Sequence, residues 1–176
     1  LPRLEEMLKA GAHFGHRTSR WNAKMKPYIF TTRNNVHIID LEKTQEKLKE
    51  ALKFIHEIKE KKGTIIFVGT KIAAKEITQK MAGEAKMPYV TERWIGGTLT
   101  NFKVISKRLE YIRDLEKKRE AGELKKYTKK EQLEFKKDIK RMELKFGGIK
   151  NLKKLPEAVF IADPKENKTE FEYDIM

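Results

Sequence analysis

The sequence contains no cysteine, which excludes disulfide bridges and thiolate metal ligands. No uninterrupted apolar run approaches the roughly 18–20 residues that a membrane-spanning helix requires. The first ten residues carry acidic side chains at Glu5 and Glu6 and have no apolar segment of the kind found in secretory signals. These absences predict an intracellular protein without a membrane-spanning helix, and the predicted location is the cytoplasm.

Basic residues are in clear excess, because Lys and Arg total 40 against 26 Asp and Glu, giving a formal net charge of +14. Such a surplus favours nucleic acid as a partner, since each neutralised phosphate releases condensed counterions. A heavily solvated surface and an anionic membrane surface are the alternatives. Of the 176 residues, 39% are apolar and 38% charged, which predicts one compact core with an exposed, charged appendage.

The first third of the chain predicts a mixture of short elements. Leu4, Met7 and Leu8 share a helical face that ends at Gly11, and residues 12–26 follow no period and are predicted to form an ordered loop. Two β-prone runs within residues 28–39 flank an Asn-Asn pair, which predicts a hairpin. Asp40 is placed to begin a long helix that Gly63 ends.

Residues 64–69 and 158–162 are continuously apolar and β-branched, as buried strands are. Between them lie a helical pattern for which Thr70 is the candidate cap and a short strand around Tyr89 and Val90. Strands that alternate with helices predict a parallel sheet with helices on its faces.

A different segment interrupts this alternation, since residues 103–150 contain 17 basic and 9 acidic residues. Two narrow apolar stripes step at heptad intervals within it, and Thr128 with Glu131 forms a capping box between them. Two such helices predict an antiparallel coiled-coil hairpin that projects from the domain, and two ordinary helices lying on the sheet are the alternative. The stripes are Phe102, Ile105, Leu109 and Ile112 in one helix and Phe135, Ile139, Met142 and Phe146 in the other.

Chemical motifs are few. Gly69-Thr70-Lys71 follows a strand and opens a helix, but it lacks the second glycine and the Ser or Thr after Lys that a phosphate-binding loop needs. His13 and His16 have a spacing that could suit a metal, yet they stand among cations and have no acidic ligand nearby, so hydrogen bonding to RNA is the preferred interpretation. No catalytic set, cofactor or metal site is predicted, and the chain is not expected to be an enzyme.

Two segments instead have the composition of RNA-binding surfaces. Residues 13–26 interleave cations with aromatic rings, and residues 92–101 combine Arg93, Trp94 and Asn101 around a Gly-Gly pair. Trp94 is predicted either to stack on a base or to lie in the core.

The order of the motifs carries more information than any one of them, and the chain resembles the bacterial-type small-subunit ribosomal protein two family (ribosomal protein S-two). The matching motifs are LKAGAHFGH at residues 8–16, WNAKMKPYIF at 21–30, RNNVHIIDLEKT at 33–44, FVGTK at 67–71, RWIGGTLTN at 93–101, FGGIK at 146–150 and LPEAVFIAD at 155–163.

The resemblance implies a flavodoxin-like three-layer α/β/α domain with a coiled-coil insertion, here residues 1–101 plus 151–176 and residues 102–150. It implies a structural, non-catalytic role in the small ribosomal subunit, with small-subunit ribosomal RNA and neighbouring ribosomal proteins as partners, among them the large mRNA-binding ribosomal protein one. No small-molecule substrate is implied. A nucleotide-binding flavodoxin-like enzyme and a free coiled-coil adaptor are the alternative functions.

Residues 165–176 do not resemble the helix that follows in the family, so the carboxyl-terminal part of the family fold is expected to be missing. Two groups of residues are predicted to bind partners. The RNA-binding residues are His13, His16, Arg17, Arg20, Trp21, Asn22, Lys24, Lys26, Arg33, Arg93, Trp94, Asn101 and Lys103. The protein-partner residues are Lys117, Lys118, Arg119, Lys125 and Lys126.

Overall fold

A computed structural model describes residues 1–163, except for the side chain of Lys125. The backbone divides into two compact units, Leu1–Lys61 and Lys62–Met176, of which the second is described as far as residue 163. The predicted departure from the family over residues 165–176 lies outside the described residues.

The first unit is an antiparallel three-stranded sheet with two helices. In chain order it consists of α1 (Leu4–Lys9), β1 (Phe14–Arg17), two 3-10 turns (Thr18–Arg20 and Ala23–Tyr28), β2 (Ile29–Arg33), β3 (Val36–Ile39) and α2 (Leu41–Glu60). The strand order is β1-β3-β2. The helices α1 and α2 contact each other, and Met7 and Ile58 are their buried residues.

The predicted β2–β3 hairpin is confirmed. Asn34 and Asn35 form its turn with φ values of 49° and 59°, and Asn tolerates this left-handed conformation better than most residues. Asp40 then begins α2 as predicted, since its carboxylate accepts hydrogen bonds from the backbone N–H groups of Glu42 and Lys43 at 3.0 and 3.4 Å.

The prediction of an unbroken loop over residues 12–26 is wrong for Phe14–Arg17, which forms β1 and pairs antiparallel with β3. The pairing register shifts between Phe14 and Arg17, and three of the four residues are exposed. The strand therefore lacks the apolar–polar alternation by which sequence patterns are recognised.

The second unit contains a parallel sheet, as predicted. Its elements are β4 (Ile65–Val68), α3 (Ile72–Glu84), β5 (Tyr89–Val90), α4 (Phe102–Glu120), α5 (Lys129–Phe146) and β6 (Ala158–Ile161). The strand order is β5-β4-β6, with β4 central and hydrogen-bonded in parallel to both neighbours. The cap position of α3 is Lys71, one residue after the predicted Thr70, and its side chain accepts no capping hydrogen bond.

The hydrophobic core of the second unit is shared by the sheet and α4. Ile105, Leu109 and Ile112 of α4 belong to one buried cluster with Ile66 and Val68 of β4. The cluster also includes Phe146 of α5, and Met142 of α5 packs against it. This part of α4 therefore shares one core with β4 and with residues of the second predicted stripe.

The capping box at the start of α5 is confirmed. The backbone N–H of Thr128 donates to the Glu131 carboxylate at 2.9 Å, and the N–H of Glu131 donates to the Thr128 hydroxyl at 3.4 Å. At the other end of α5, Gly148 allows close contact with β5, since a Cβ there would lie 2.1 Å from the carbonyl oxygen of Tyr89. Helices α4 and α5 contact each other, and Ile139 and Phe146 are the buried residues of α5.

Candidate nucleic-acid interface

The first unit has a long segment without acidic residues. Between Glu6 and Asp40 the chain has no Asp or Glu, although at its mean acid content these 33 residues would carry about five. The same segment contains the six basic residues Lys9, Arg17, Arg20, Lys24, Lys26 and Arg33, and all six are exposed. Phosphate can therefore approach this surface without meeting a fixed negative charge from the segment itself.

The sheet positions two of these cations relative to each other. Arg17 of β1 and Arg33 of β2 both pair with Val36 of the central strand β3. Directly paired residues share a face of a sheet, so the two arginines are displayed on the same side at a strand separation of roughly 10 Å. A hydrogen bond of 2.9 Å from the Thr18 N–H to the Asn35 carbonyl fixes the chain that follows β1 beside the hairpin turn.

The turns after β1 display the remaining residues of the basic–aromatic run. His16, Arg20, Lys24 and Lys26 are exposed, and the Asn22 side chain caps the second turn by accepting from the Lys24 N–H at 2.9 Å. The side-chain oxygen of Asn22 is therefore committed to the protein's own backbone. The turn presents cations at its surface while its internal hydrogen bond keeps it ordered.

Aromatic rings accompany the cations. Trp21 is 48% exposed, and its ring lies 5.7 Å from the His37 ring, centroid to centroid. His37 in turn contacts the Thr32 hydroxyl through Nδ1 at 3.0 Å. Trp21 is thus supported on one side and available on the other, which is the arrangement that base stacking requires.

His13 is less available to a ligand than the sequence analysis expected. It is half-buried beside the Phe14 ring, with 4.1 Å between ring centroids. Among residues 1–163, buried side-chain nitrogens without a hydrogen-bond partner are His13 Nδ1 and His37 Nε2. The backbone of His13 is used structurally, because its carbonyl accepts from the Ile39 N–H at 2.8 Å.

The second unit places its predicted RNA-binding residues on the loop between β5 and α4. Arg93, Asn101 and Lys103 are exposed, whereas Trp94 is only 1% exposed and belongs to the hydrophobic cluster around β4. The prediction that Trp94 binds RNA by base stacking is therefore wrong. Its side chain lies in the hydrophobic core, among apolar side chains. The loop is ordered by a hydrogen bond of 2.9 Å from the Asn101 N–H to the carbonyl of Gly97, whose φ is +86°.

The predicted protein-partner residues lie in the last turn of α4 and in the connection between α4 and α5. Lys117, Lys118 and Arg119 occupy the last turn of α4 and are exposed. Lys118 pairs with Asp114 at 2.7 Å, and this carboxylate raises the pKa of the lysine. Lys126 is exposed above the Tyr127 ring at 5.6 Å, and the side chain of Lys125 lies outside the described part of the chain.

The turn after β4 resembles a phosphate-binding loop only in part, and packing explains its glycine. A Cβ on Gly69 would lie 2.1 Å from the Thr78 hydroxyl of α3, so glycine here permits close packing of strand and helix. The Lys71 ammonium lies 2.9 Å from the carboxylate of Asp163, which follows β6. The first feature joins the end of β4 to α3, and the second joins the turn after β4 to the chain after β6.

The family assignment is decided by a comparison with protein-family models, in which the model described as ribosomal protein S2 matches residues 7–172. The chain belongs to the ribosomal protein S2 family. This confirms the predicted family and makes the chain a small-subunit ribosomal protein, a class with a structural role. The matched range includes every predicted contact residue of this S2-family chain.

Metal-binding clusters and membrane-spanning helices are both absent from residues 1–163 of this S2-family protein. That part of the chain contains no group of three or more His, Asp or Glu side chains able to hold a metal ion. None of its helices combines the length and the apolar content needed to cross a bilayer.

Sequence reasoning missed two structural features of the S2-family chain in α4. Leu115 is 5% exposed and extends the buried stripe one turn beyond Ile112, which a continued step of three residues could have shown. Glu116 is also buried and pairs with Lys150, the residue that follows the 3-10 turn after α5. Nothing in the sequence identifies that ion pair, because its partners are 34 positions apart in different elements.

Proposed function

We propose that the chain binds small-subunit ribosomal RNA through the exposed cationic surface of its first unit and acts as a structural constituent of the cytoplasmic ribosome. The observation that carries the proposal is the acid-free segment between Glu6 and Asp40, whose six basic residues are all exposed. Ordered cations without interspersed carboxylates favour phosphate, because counterion release adds to affinity and no local repulsion opposes it.

Three side-chain types on this surface suit different parts of RNA. Arg17 and Arg33 present planar guanidinium groups, which can grip phosphate oxygens in pairs. Trp21 offers an exposed ring to an unstacked base, and His16 offers ring nitrogens for hydrogen bonds. Ribosomal RNA supplies both phosphates and looped-out bases, whereas an anionic membrane would supply only the former.

Arg93, Asn101 and Lys103 are proposed as a second set of RNA contacts, carried by the second unit. All three are exposed: Arg93 lies near the beginning of the loop after β5, Asn101 at its end and Lys103 in the first turn of α4. The buried Trp94 anchors this loop to the core and thereby holds the neighbouring Arg93 in a fixed place. Stable anchoring reduces the entropy lost when the loop binds.

The domain organisation that we propose is a flavodoxin-like α/β domain of residues 1–101 and 151–176, with residues 102–150 inserted as a coiled-coil hairpin. Its support is that β5, which precedes the insertion, and β6, which follows it, both pair with β4. The exposed cations Lys117, Lys118, Arg119 and Lys126 are then available to neighbouring ribosomal proteins, including the large mRNA-binding ribosomal protein one.

A nucleotide-binding enzyme receives no comparable support. The turn at Gly69 has its glycine explained by the contact with α3, and Lys71 is paired with Asp163. A free coiled-coil adaptor would not require the acid-free surface of the first unit.

Sedimentation tests the proposed function. The purified chain, mixed with small subunits stripped of the endogenous protein, should co-sediment with them at one copy per subunit and should resist moderate salt. Large subunits serve as the control for non-specific attraction between a basic protein and RNA. Equal retention on both subunits, or loss from both at the same salt concentration, would count against a specific place in the small subunit.

A further inference from the structure

A cavity of about 590 Å³ lies at the edge of the parallel sheet where β4 and β5 begin. Its lining includes Thr64, Tyr89, Gly148 and Asn151. Four exposed lysines also line it, and no acidic residue is among its lining residues in the described part of the chain. The lysines are Lys62, Lys86, Lys153 and Lys154.

Among residues 1–163, a single carboxylate pairs with this group of lysines. It already accepts hydrogen bonds from two donors. Glu157 accepts a hydrogen bond of 2.5 Å from the Thr64 N–H and one of 3.0 Å from the Lys154 ammonium. These two donors hold the pKa of Glu157 below its ordinary value, the Thr64 N–H contributing most. Lys62, Lys86 and Lys153 form no ion pair with any residue within 1–163, so the cavity retains an excess of positive charge.

Two of the lysines stand where their backbone conformation is unfavourable. Lys62 and Lys86 have φ values of 53° and 54°, in the left-handed region that Gly and Asn adopt more easily. Lys86 directly follows the cap residue Ala85 of α3, the position at which helices most often carry glycine. A lysine at this position makes the fold less stable than a glycine would. Residues that disfavour their own backbone conformation are expected where the side chain is needed for function.

We propose that this lysine pocket binds a backbone phosphate of ribosomal RNA. The proposal rests on the proposed function and adds to it a contact site on the second unit, formed by none of the residues assigned above. Ammonium groups act as compact point charges toward phosphate, and three without carboxylate partners can neutralise a phosphodiester and its neighbour. Because the lysines are exposed, the site suits a phosphate on a polymer better than an enclosed small ligand.

The first test compares two charge-matched variants of the full chain. In Lys86→Gln/Lys153→Gln the pocket loses two charges, and in Lys49→Gln/Lys80→Gln two exposed lysines of α2 and α3 are replaced. Binding to a small-subunit ribosomal RNA transcript is measured across a range of salt concentrations. The pocket variant should bind several-fold more weakly, and its slope of log affinity against log salt should fall by about 0.7–0.9 for each phosphate that is no longer neutralised.

The possible results test the proposed function and the lysine pocket separately. Wild-type chain that binds the transcript no better than unrelated RNA would contradict the proposed function itself. Specific wild-type binding with equal losses of affinity in the pocket variant and its control would leave the proposed function standing and overturn the lysine pocket.

A second pair of variants separates binding from folding, since Lys62→Gly and Lys86→Gly remove a charge and relieve the left-handed strain together. Each should raise the melting temperature by about 2–4 °C while weakening RNA binding. A lower melting temperature with unchanged RNA binding would show that the lysines serve only the fold, which would overturn the proposal.

Calorimetry with inorganic pyrophosphate distinguishes an RNA contact from a small-molecule site. We expect no saturable micromolar binding by the wild-type chain, because four exposed lysines do not enclose a ligand. Tight pyrophosphate binding that is lost in Lys86→Gln/Lys153→Gln, with RNA affinity unchanged in that variant, would overturn the assignment to RNA.

Discussion

The carboxylate of Glu116 forms an ion pair with the ammonium of Lys150, and this pair joins the second half of α4 to the chain that follows α5. The Glu116 side chain is 11% exposed and the Lys150 side chain 32%. Lys150 lies two residues after Gly148, which packs against β5. The pair therefore holds the second half of α4 beside the segment that links α5 to β6.

Lys150→Met should destabilise the protein by about 1–3 kcal/mol, because it leaves a mostly buried carboxylate without its counter-charge. Glu116→Gln should cost less, since a neutral amide needs no counter-charge, and the double variant should recover part of the loss. Urea denaturation of the three variants measures these free energies of unfolding. Lys118→Met is the control, because it breaks a solvent-screened pair in the same helix and should cost clearly less than Lys150→Met. Equal effects of the two Lys→Met changes would contradict a structural role for the buried pair.

The RNA surface of the first unit predicts a change in salt dependence. Replacing Arg17, Arg20, Lys24 and Lys26 together by Ala should weaken binding to small-subunit ribosomal RNA and flatten the slope of log affinity against log salt, because fewer counterions are released. The expected decrease in slope is about 0.7–0.9 for each phosphate that the variant leaves unneutralised.

A control for that experiment removes the same number of charges from the exposed surfaces of α2 and α3. It replaces Lys49, Lys53, Lys59 and Lys80 by Ala. If net charge alone governs the interaction, the two quadruple variants will have the same slope, and a localised surface in the first unit would be contradicted.

Features encoded by neighbouring residues could be predicted from the sequence. The Asn34–Asn35 turn, the Asp40 cap and the Thr128–Glu131 box each depend on side chains within three positions of the backbone groups they satisfy. The strand β4 was recognisable because strands buried on both faces have continuous apolar sequences. The strand β6 was found by the same pattern, although it lies at the edge of the described sheet and Phe160 is 46% exposed, so the prediction that it is buried is wrong. In each case the residues concerned favour one local backbone structure over the others.

Features that depend on distant partners could not be predicted. The strand β1 exists because β3, about 20 residues later, pairs with it, and its own side chains are mostly exposed. The apolar stripe of α4 was visible, but a stripe does not reveal whether a helix or a sheet covers it. Trp94 illustrates the same limit in the candidate site, because an indole suits a core and a stacked base equally well, and only the surrounding residues decide between them.

The capping box of α5 predicts a measurable shift in the titration of Glu131. The Thr128 backbone N–H and hydroxyl both donate to this carboxylate and lower its pKa. A pKa that is lower in the folded state means that the contribution to stability is present above the pKa of the unfolded chain, about 4.3, and is lost as the pH falls through the folded value. Acidification should therefore loosen the first turn of α5.

An NMR titration followed at the Thr128 amide proton measures this effect directly. The midpoint should lie below that of an ordinary glutamate, and Thr128→Ala should move it upward, because one donor is removed. Glu134→Gln removes a charge from the same helix and preserves the capping box, so it should leave the midpoint nearly unchanged. A wild-type midpoint at the ordinary glutamate value would show that the box does not form in solution.

The proposed hairpin predicts that one substitution in α5 will separate it from α4 while the sheet survives. Ile139 is 2% exposed, and α4 is a helix that α5 contacts. Ile139→Asp places an unpaired carboxylate at a buried position, which costs on the order of 3–5 kcal/mol, more than a narrow apolar stripe can offset. Leu133→Asp is the matched control, because Leu133 lies in the same helix and is 53% exposed.

Limited trypsin digestion followed by mass spectrometry distinguishes the two variants. In Ile139→Asp, cleavage should become rapid at the basic residues of α5, between Lys129 and Lys145, because the separated helix frays. The first half of α4 should be cut more slowly, since Ile105, Leu109 and Ile112 remain buried in the cluster that includes β4. Residues 62–101 should stay protected, because β4 pairs with β5 and α3 contacts both strands without using Ile139. The same digestion pattern for wild type, Leu133→Asp and Ile139→Asp would mean that Ile139 does not hold α5 in place, and the coiled-coil hairpin would have to be abandoned.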